Sequence, residues 1–131
     1  MKPYLIDELS VFYPCYNEEK NIESTVAKTI PVLKKITGKW EIILVNDGSK
    51  DNTAKVLETI KKQAPKQIKI ITHNPNRGYG GAVKSGLYNS KYKWITFTDS
   101  DGQFDFSEVV NLIKRQQQTK ADIVIGYYLS R

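Results

Sequence analysis

The chain has 131 residues, 40% of them apolar and 26% charged, which fits one globular domain large enough to bury a core. No stretch approaches the roughly 20 apolar residues that span a bilayer, and the N-terminal MKPYLIDELS lacks an apolar signal core. Lone Cys15 excludes an intrachain disulfide, lone His73 excludes a histidine-rich metal centre, and a formal net charge of +6 fits either plain solubility or an anionic partner.

LSVFYP (9–14) is a short strand pattern ended by Pro14. NIESTVAKTIPVLKKITG (21–38) places Ile22, Val26, Ile30, Leu33 and Ile36 at helical spacing. Gly38 suits its C-terminal cap, and Pro31 is expected to kink or restart it. WEIILVN (40–46) reads as a strand, DNTAKVLETIKKQA (51–64) as a helix stopped by Pro65, and QIKIIT (67–72) as a third strand. A glycine-rich turn leads into a short helix over 82–90. KWITFT (93–98) predicts a fourth, buried strand. SEVVNLIKRQQQ (107–118) predicts a helix with a capping box formed by Asp105 and Glu108, and DIVIGYY (122–128) a fifth strand.

This βαβαβαβαβ order with short connections predicts an α/β fold: a mainly parallel sheet with helices on both faces. The β-branched runs fit strands buried on both sides. In open α/β sheets ligands sit outside the carboxyl ends of the strands. The segments to read are therefore 15–19, 47–51, 73–81 and 99–103. Lysines are scattered, with no dense basic block interleaved with aromatics, which argues against nucleic acid.

In DSDGQ, Asp99 and Asp101 alternate on extended backbone and can reach one Mg²⁺ or Mn²⁺, with Gln103 as a neutral oxygen. The competing reading is an acidic turn before a helix. Val110 stands where an EF-hand needs Glu, so that motif is excluded. In NRGYGGAVKSG (76–86), Val83 breaks both the Walker A and the dinucleotide-binding patterns. Its glycines suit either close helix–sheet packing or an anion, with Arg77 and Lys84 favouring the anion. Asn17 can cap a helix that Glu18 and Glu19 favour, or Tyr16 beside it can stack on a nucleobase. Ser49 or Asp51 can cap the next helix, and Asp47 can accept from a base or ribose. Cys15 reads as a packing residue and His73 as a loop residue without chemistry.

Together FYPCYNEEKNI, EIILVNDGSKDNT, NRGYGGAVKSGL, WITFTDSDGQFD and DIVIGYYLSR resemble, in order and spacing, the family 2 glycosyltransferases of GT-A fold. Within them they are most similar to the branch that charges polyprenyl phosphates, as dolichyl-phosphate mannose synthase does. The resemblance implies a Rossmann-like three-layer α/β/α domain over 1–131 that binds a UDP- or GDP-linked sugar. It implies that Pro14, Tyr16 and Glu18 lie near the base, that Asp47 hydrogen-bonds it, and that Arg77, Gly78 and Lys84 border the nucleotide. Asp99 and Asp101 match the Asp-x-Asp that holds a divalent cation on the donor diphosphate, and Gln103 matches a third ligand. The implied reaction moves a hexose to a polyprenyl phosphate at the cytoplasmic membrane face. Polysaccharide- or protein-directed transfer and a non-catalytic nucleotide-binding module are the alternatives. Family members carry an acceptor half beyond the fifth strand, which is where this chain ends. GYY stands where that branch usually has GYR, with Tyr128 in place of the arginine. The chain alone is expected to bind donor, to transfer poorly, and to self-associate through an exposed edge near Ile123, Ile125 and Tyr127.

Overall fold

The computed structural model describes residues 4–101 and 104–126. Its elements run β1 (Glu8–Cys15), α1 (Ile22–Ile36), β2 (Lys39–Asn46), α2 (Thr53–Lys61), β3 (Ile68–Thr72), α3 (Gly78–Asn89), β4 (Ile95–Phe97), a 3-10 turn (Phe106–Glu108) and α4 (Val109–Thr119). The four strands form one parallel sheet in the order β3-β2-β1-β4. Because parallel strands need crossovers, each helix returns the chain to the same end of the sheet, and every strand points its carboxyl end the same way.

The pleat sends alternate residues to opposite faces. Val11, Tyr13, Ile42 and Leu44 face a core built with Ile22, Val26 and Leu33 of α1, Leu57 and Ile60 of α2, and Val109 and Ile113 of α4. Phe12, Ile43 and Val45 face the other way, onto Ala82 of α3. The layers are thus α/β/α, as the alternation of elements predicts. Gly86 lets α3 approach closely: a Cβ there would lie 2.2 Å from the Phe12 ring.

Several local expectations are corrected. Helix α1 runs as one 15-residue element through Pro31, whose exposed position leaves the carbonyl it cannot bond within reach of water. The C-cap of α1 is Thr37, whose N–H reaches Leu33, rather than Gly38. Only half of the expected capping box forms: Asp105 accepts from the Ser107 N–H at 3.0 Å, while the Glu108 carboxylate turns to Asn111 at 2.9 Å. Strand β4 has three residues and is not buried; Ile95 is 38% and Phe97 41% exposed. Among the described residues it pairs with β1 alone, and the Phe97 ring stacks on Phe12 at 4.6 Å while remaining 41% exposed. Residues 122–126 do not form the expected fifth strand, because they pair with neither edge of the sheet. Tyr127 and Tyr128 lie outside the described residues. No helix among the described residues is long and apolar enough to cross a membrane.

At the amino end of the sheet sits a buried carboxylate that the sequence reading did not single out. Glu41 on β2 accepts from the Ser10 hydroxyl (2.6 Å) and the Lys91 N–H (2.7 Å), with the Lys69 ammonium 2.9 Å from its other oxygen. Ser10 in turn accepts from the Tyr92 N–H. This cluster ties the α3–β4 connection down, so β4 enters the sheet at a fixed place.

Candidate functional site

At the carboxyl ends of β1 and β2, two loops are laced together. The Asn17 N–H donates to the Ser49 hydroxyl (3.0 Å), the Lys50 N–H donates to the Asn17 side-chain oxygen (2.8 Å), and the Glu18 N–H donates to the Thr53 hydroxyl (3.0 Å). Asn17 adopts a left-handed φ of 53°, a conformation asparagine tolerates better than most residues. It therefore bridges loops and does not cap α1. Asp51 does serve the start of α2, accepting from the N–H and the hydroxyl of Thr53. Gly48 has φ 71°, and a Cβ there would stand 2.9 Å from Asn76, so the 47–51 loop rests directly on the segment leading into α3.

Asp47 is the centre of this junction. It is 5% exposed, yet its Oδ1 accepts from the Arg77 N–H at 2.7 Å and meets His73 Nδ1 at 2.8 Å, and its Oδ2 accepts from the Gly78 N–H at 2.9 Å. Burial pushes the carboxyl pKa up, but these bonds outweigh it and hold the pKa below the ordinary value. The carboxylate sits at the positive end of α3 and satisfies two otherwise orphaned N–H groups. The anion that the glycine-rich turn receives here is thus the protein's own. Two carboxylate oxygens offer about four lone-pair sites, so one on Oδ2 remains for a ligand.

His73 is buried at 2% exposure, with Nε2 at 2.7 Å from the Ser85 hydroxyl. His73 lies in the loop after β3, as expected from sequence, and α3 folds back over the end of β3 to enclose the ring. Cys15 is 1% exposed and its thiol is pushed up to about 12 by burial, which keeps it protonated and in keeping with a packing role.

Between these loops lies a cavity of about 260 Å³, lined by Pro14, Tyr16, Asp47, Asn76, Gly78 and Tyr79 among others. Four of the nucleotide-binding residues expected from sequence therefore line one pocket: Pro14, Tyr16, Asp47 and Gly78. The others do not line it. Glu18 holds the start of α1 with its carbonyl, which accepts from the N–H groups of Asn21 and Ile22. Arg77 contributes its backbone N–H to Asp47. Lys84 lies along α3, its ammonium 5.7 Å from the Tyr88 ring centroid.

Asp99 and Asp101 follow β4 and line a second cavity of about 720 Å³ together with Ile95, Phe97 and Ile123. Between them Ser100 is buried, its hydroxyl donating to the Pro14 carbonyl at 3.1 Å and its own carbonyl accepting from Thr25. With Ser100 anchored inward in the bend after β4, Asp99 is left exposed and Asp101 partly exposed on either side of it. Tyr79 stands between the two cavities: it lines the first, and its hydroxyl is close enough to Asp99 for that carboxylate to perturb it. Burial first, then the Asp99 charge, raises the Tyr79 pKa. Gln103 lies outside the described residues. The donors at this point are carboxylate oxygens, the chemistry that suits Mg²⁺ or Mn²⁺ when a substrate supplies the remaining ligands. Ser100 and Tyr79 were not singled out by sequence reasoning, although the place of Ser100 between two acids at a strand end was a usable signal.

The sequence model of Glycosyl transferase family 2 matches residues 10–131. The chain belongs to that family. Among curated relatives, a dolichyl-phosphate beta-glucosyltransferase from Dictyostelium discoideum is 37% identical over 90% of this chain and 39% of its own length. Its namesake from Saccharomyces cerevisiae is 42% identical over 80% of this chain and 33% of its own length. The chain thus spans between a third and a half of the length of the curated relatives it matches. A solved mannosyltransferase from Pyrobaculum calidifontis, in complex with GDP-Man and Mn²⁺, superposes with a TM-score of 0.72 over 88% of this chain and 34% of its own, at 21% identity. That likeness establishes the GT-A fold expected from sequence.

Proposed function

We propose that this chain is the donor-binding part of a hexosyltransferase that takes a UDP- or GDP-linked sugar and delivers the hexose to a polyprenyl phosphate at the cytoplasmic face of the membrane. The observation that carries the donor reading is the pocket shared by Pro14, Tyr16, Asp47 and Gly78 at the carboxyl ends of β1 and β2, with Tyr79 on its wall within electrostatic reach of Asp99. The acceptor reading is supported by the relatives, which include dolichyl-phosphate and undecaprenyl-phosphate transferases.

In this reading the half-exposed Tyr16 ring stacks on the base. The free lone pair of Asp47 accepts from a base N–H or a ribose hydroxyl, because its other positions are held by Arg77, Gly78 and His73. With Asp47 already at the end of α3, the diphosphate belongs on the Asp99 and Asp101 side of the site. Those two residues, with Gln103, would hold Mg²⁺ or Mn²⁺. The ion supplies neutralisation of the charge that develops on the leaving diphosphate. Phe97 and Ile95 line the same cavity as the two carboxylates and offer an apolar wall to the sugar.

Isothermal calorimetry of the chain with UDP- and GDP-sugars in the presence of Mn²⁺ tests the reading. Saturable binding of one of them, weakened about tenfold by Tyr16→Ala, is expected. Absence of binding by both nucleotide classes overturns it.

A further inference from the structure

His73 stands behind the pocket and not in it. The ring is buried, and both of its nitrogens have partners on different elements: Asp47 at the end of β2 and Ser85 in α3. Because Asp47 is held as a carboxylate, Nδ1 must carry a proton and donate to Oδ1. Oδ1 also takes the Arg77 N–H, so the ring and the start of α3 meet at one atom. Fixing Oδ1 from two sides fixes the rotation of the carboxyl group. That rotation decides which lone pair of Oδ2 faces the cavity that Asp47 lines. The second bond, to Ser85, holds α3 at the distance at which Gly78 can reach Oδ2.

An Asp–His–Ser relay also has the composition of a nucleophilic triad. Ser85 lines neither of the two cavities described, so its hydroxyl is not part of the candidate site.

We infer that His73 is a positioning residue for nucleoside diphosphate binding: by gripping Asp47 and Ser85 it sets the orientation of the Asp47 carboxylate and the seat of α3, without touching the ligand. This rests on the donor-pocket reading above.

The variants separate positioning from packing. His73→Asn keeps a side-chain N–H in the place of Nδ1 and loses volume. His73→Phe keeps the volume and loses the donor. Ser85→Ala removes only the outer bond. Calorimetry with UDP and GDP is expected to show His73→Ala and His73→Phe binding at least about tenfold more weakly, since each leaves a buried carboxylate short of a donor. His73→Asn should stay within about threefold of the wild-type chain, and Ser85→Ala should lie between them. Hydrogen exchange of the Arg77 and Gly78 amides, read without nucleotide, should quicken in His73→Phe and stay slow in His73→Asn. If His73→Phe binds as well as the wild-type chain, or protects those amides better than His73→Asn, the ring serves packing and the inference is overturned. A wild-type chain that binds neither nucleotide overturns the donor-pocket reading. The exchange experiment still decides whether His73 positions the junction.

Discussion

Asp47 and Glu41 are both buried carboxylates whose hydrogen bonds hold them below the ordinary pKa despite burial. A carboxyl group with a depressed folded pKa contributes stability that is fully present above its unfolded pKa, about 4, and is lost as pH falls through the folded value. Acid unfolding monitored by circular dichroism should therefore begin below about pH 4 as these groups take up protons. Glu41→Gln and Asp47→Asn should each lower stability at pH 7 by about 1–3 kcal/mol and flatten the acid limb. An unchanged acid limb in both variants would contradict the assigned networks. The legibility of these residues differs for a physical reason. Asp47 follows a buried strand directly, where a carboxylate demands a partner, so sequence alone marks it. Glu41 sits inside WEIILVN, where periodicity marks the apolar positions and gives no hint that Ser10, 31 residues earlier, supplies the donor. His73 lies among polar loop residues, and its burial comes from Ser85 on a helix that returns over it.

At the scale of elements, α3 offers the sharpest contrast between propensity and packing. Alanine favours a helix over glycine by about 1 kcal/mol. At Gly80 an added Cβ meets nothing within 4 Å, so Gly80→Ala should stabilise the chain by about 0.5–1 kcal/mol. At Gly86 the same substitution drives a methyl group into the Phe12 ring, with atoms at 2.2, 2.4 and 2.6 Å. Gly86→Ala should therefore destabilise by about 1–3 kcal/mol in urea unfolding, the opposite sign. Equal effects at both positions would mean that α3 does not seat on Phe12 as described. The strands and helices up to α3 were legible because apolar runs, helical spacing and glycine or proline stops agree with one another. β4 was legible as a strand and misread as buried, since an apolar run identifies extended structure and leaves its place in the sheet open. The start of α3 was missed by four residues because Gly78, Tyr79, Gly80 and Gly81 are poor helix formers, which here form the first turn under the hold of Asp47 on Arg77 and Gly78.

On the whole molecule, the open side of β4 leaves Ile95, Phe97, Ile123 and Ile125 exposed along one cavity. Apolar surface of this kind, beside a strand edge that no other described strand pairs, favours association. Light scattering of this chain should show an average mass that rises with concentration, and Phe97→Lys with Ile125→Lys should return it towards a monomer. A monomer at all concentrations would contradict the exposed-edge account. The central claim is that one metal-dependent donor site spans the pocket at Asp47 and the carboxylates after β4, and double substitution of those carboxylates tests it most directly. UDP and GDP are titrated into the wild-type chain and into the chain carrying Asp99→Asn with Asp101→Asn, each with and without Mn²⁺. The account predicts that Mn²⁺ tightens nucleotide binding to the wild-type chain at least about tenfold and has no effect on the double variant. The same Mn²⁺-dependent gain in the double variant would contradict it.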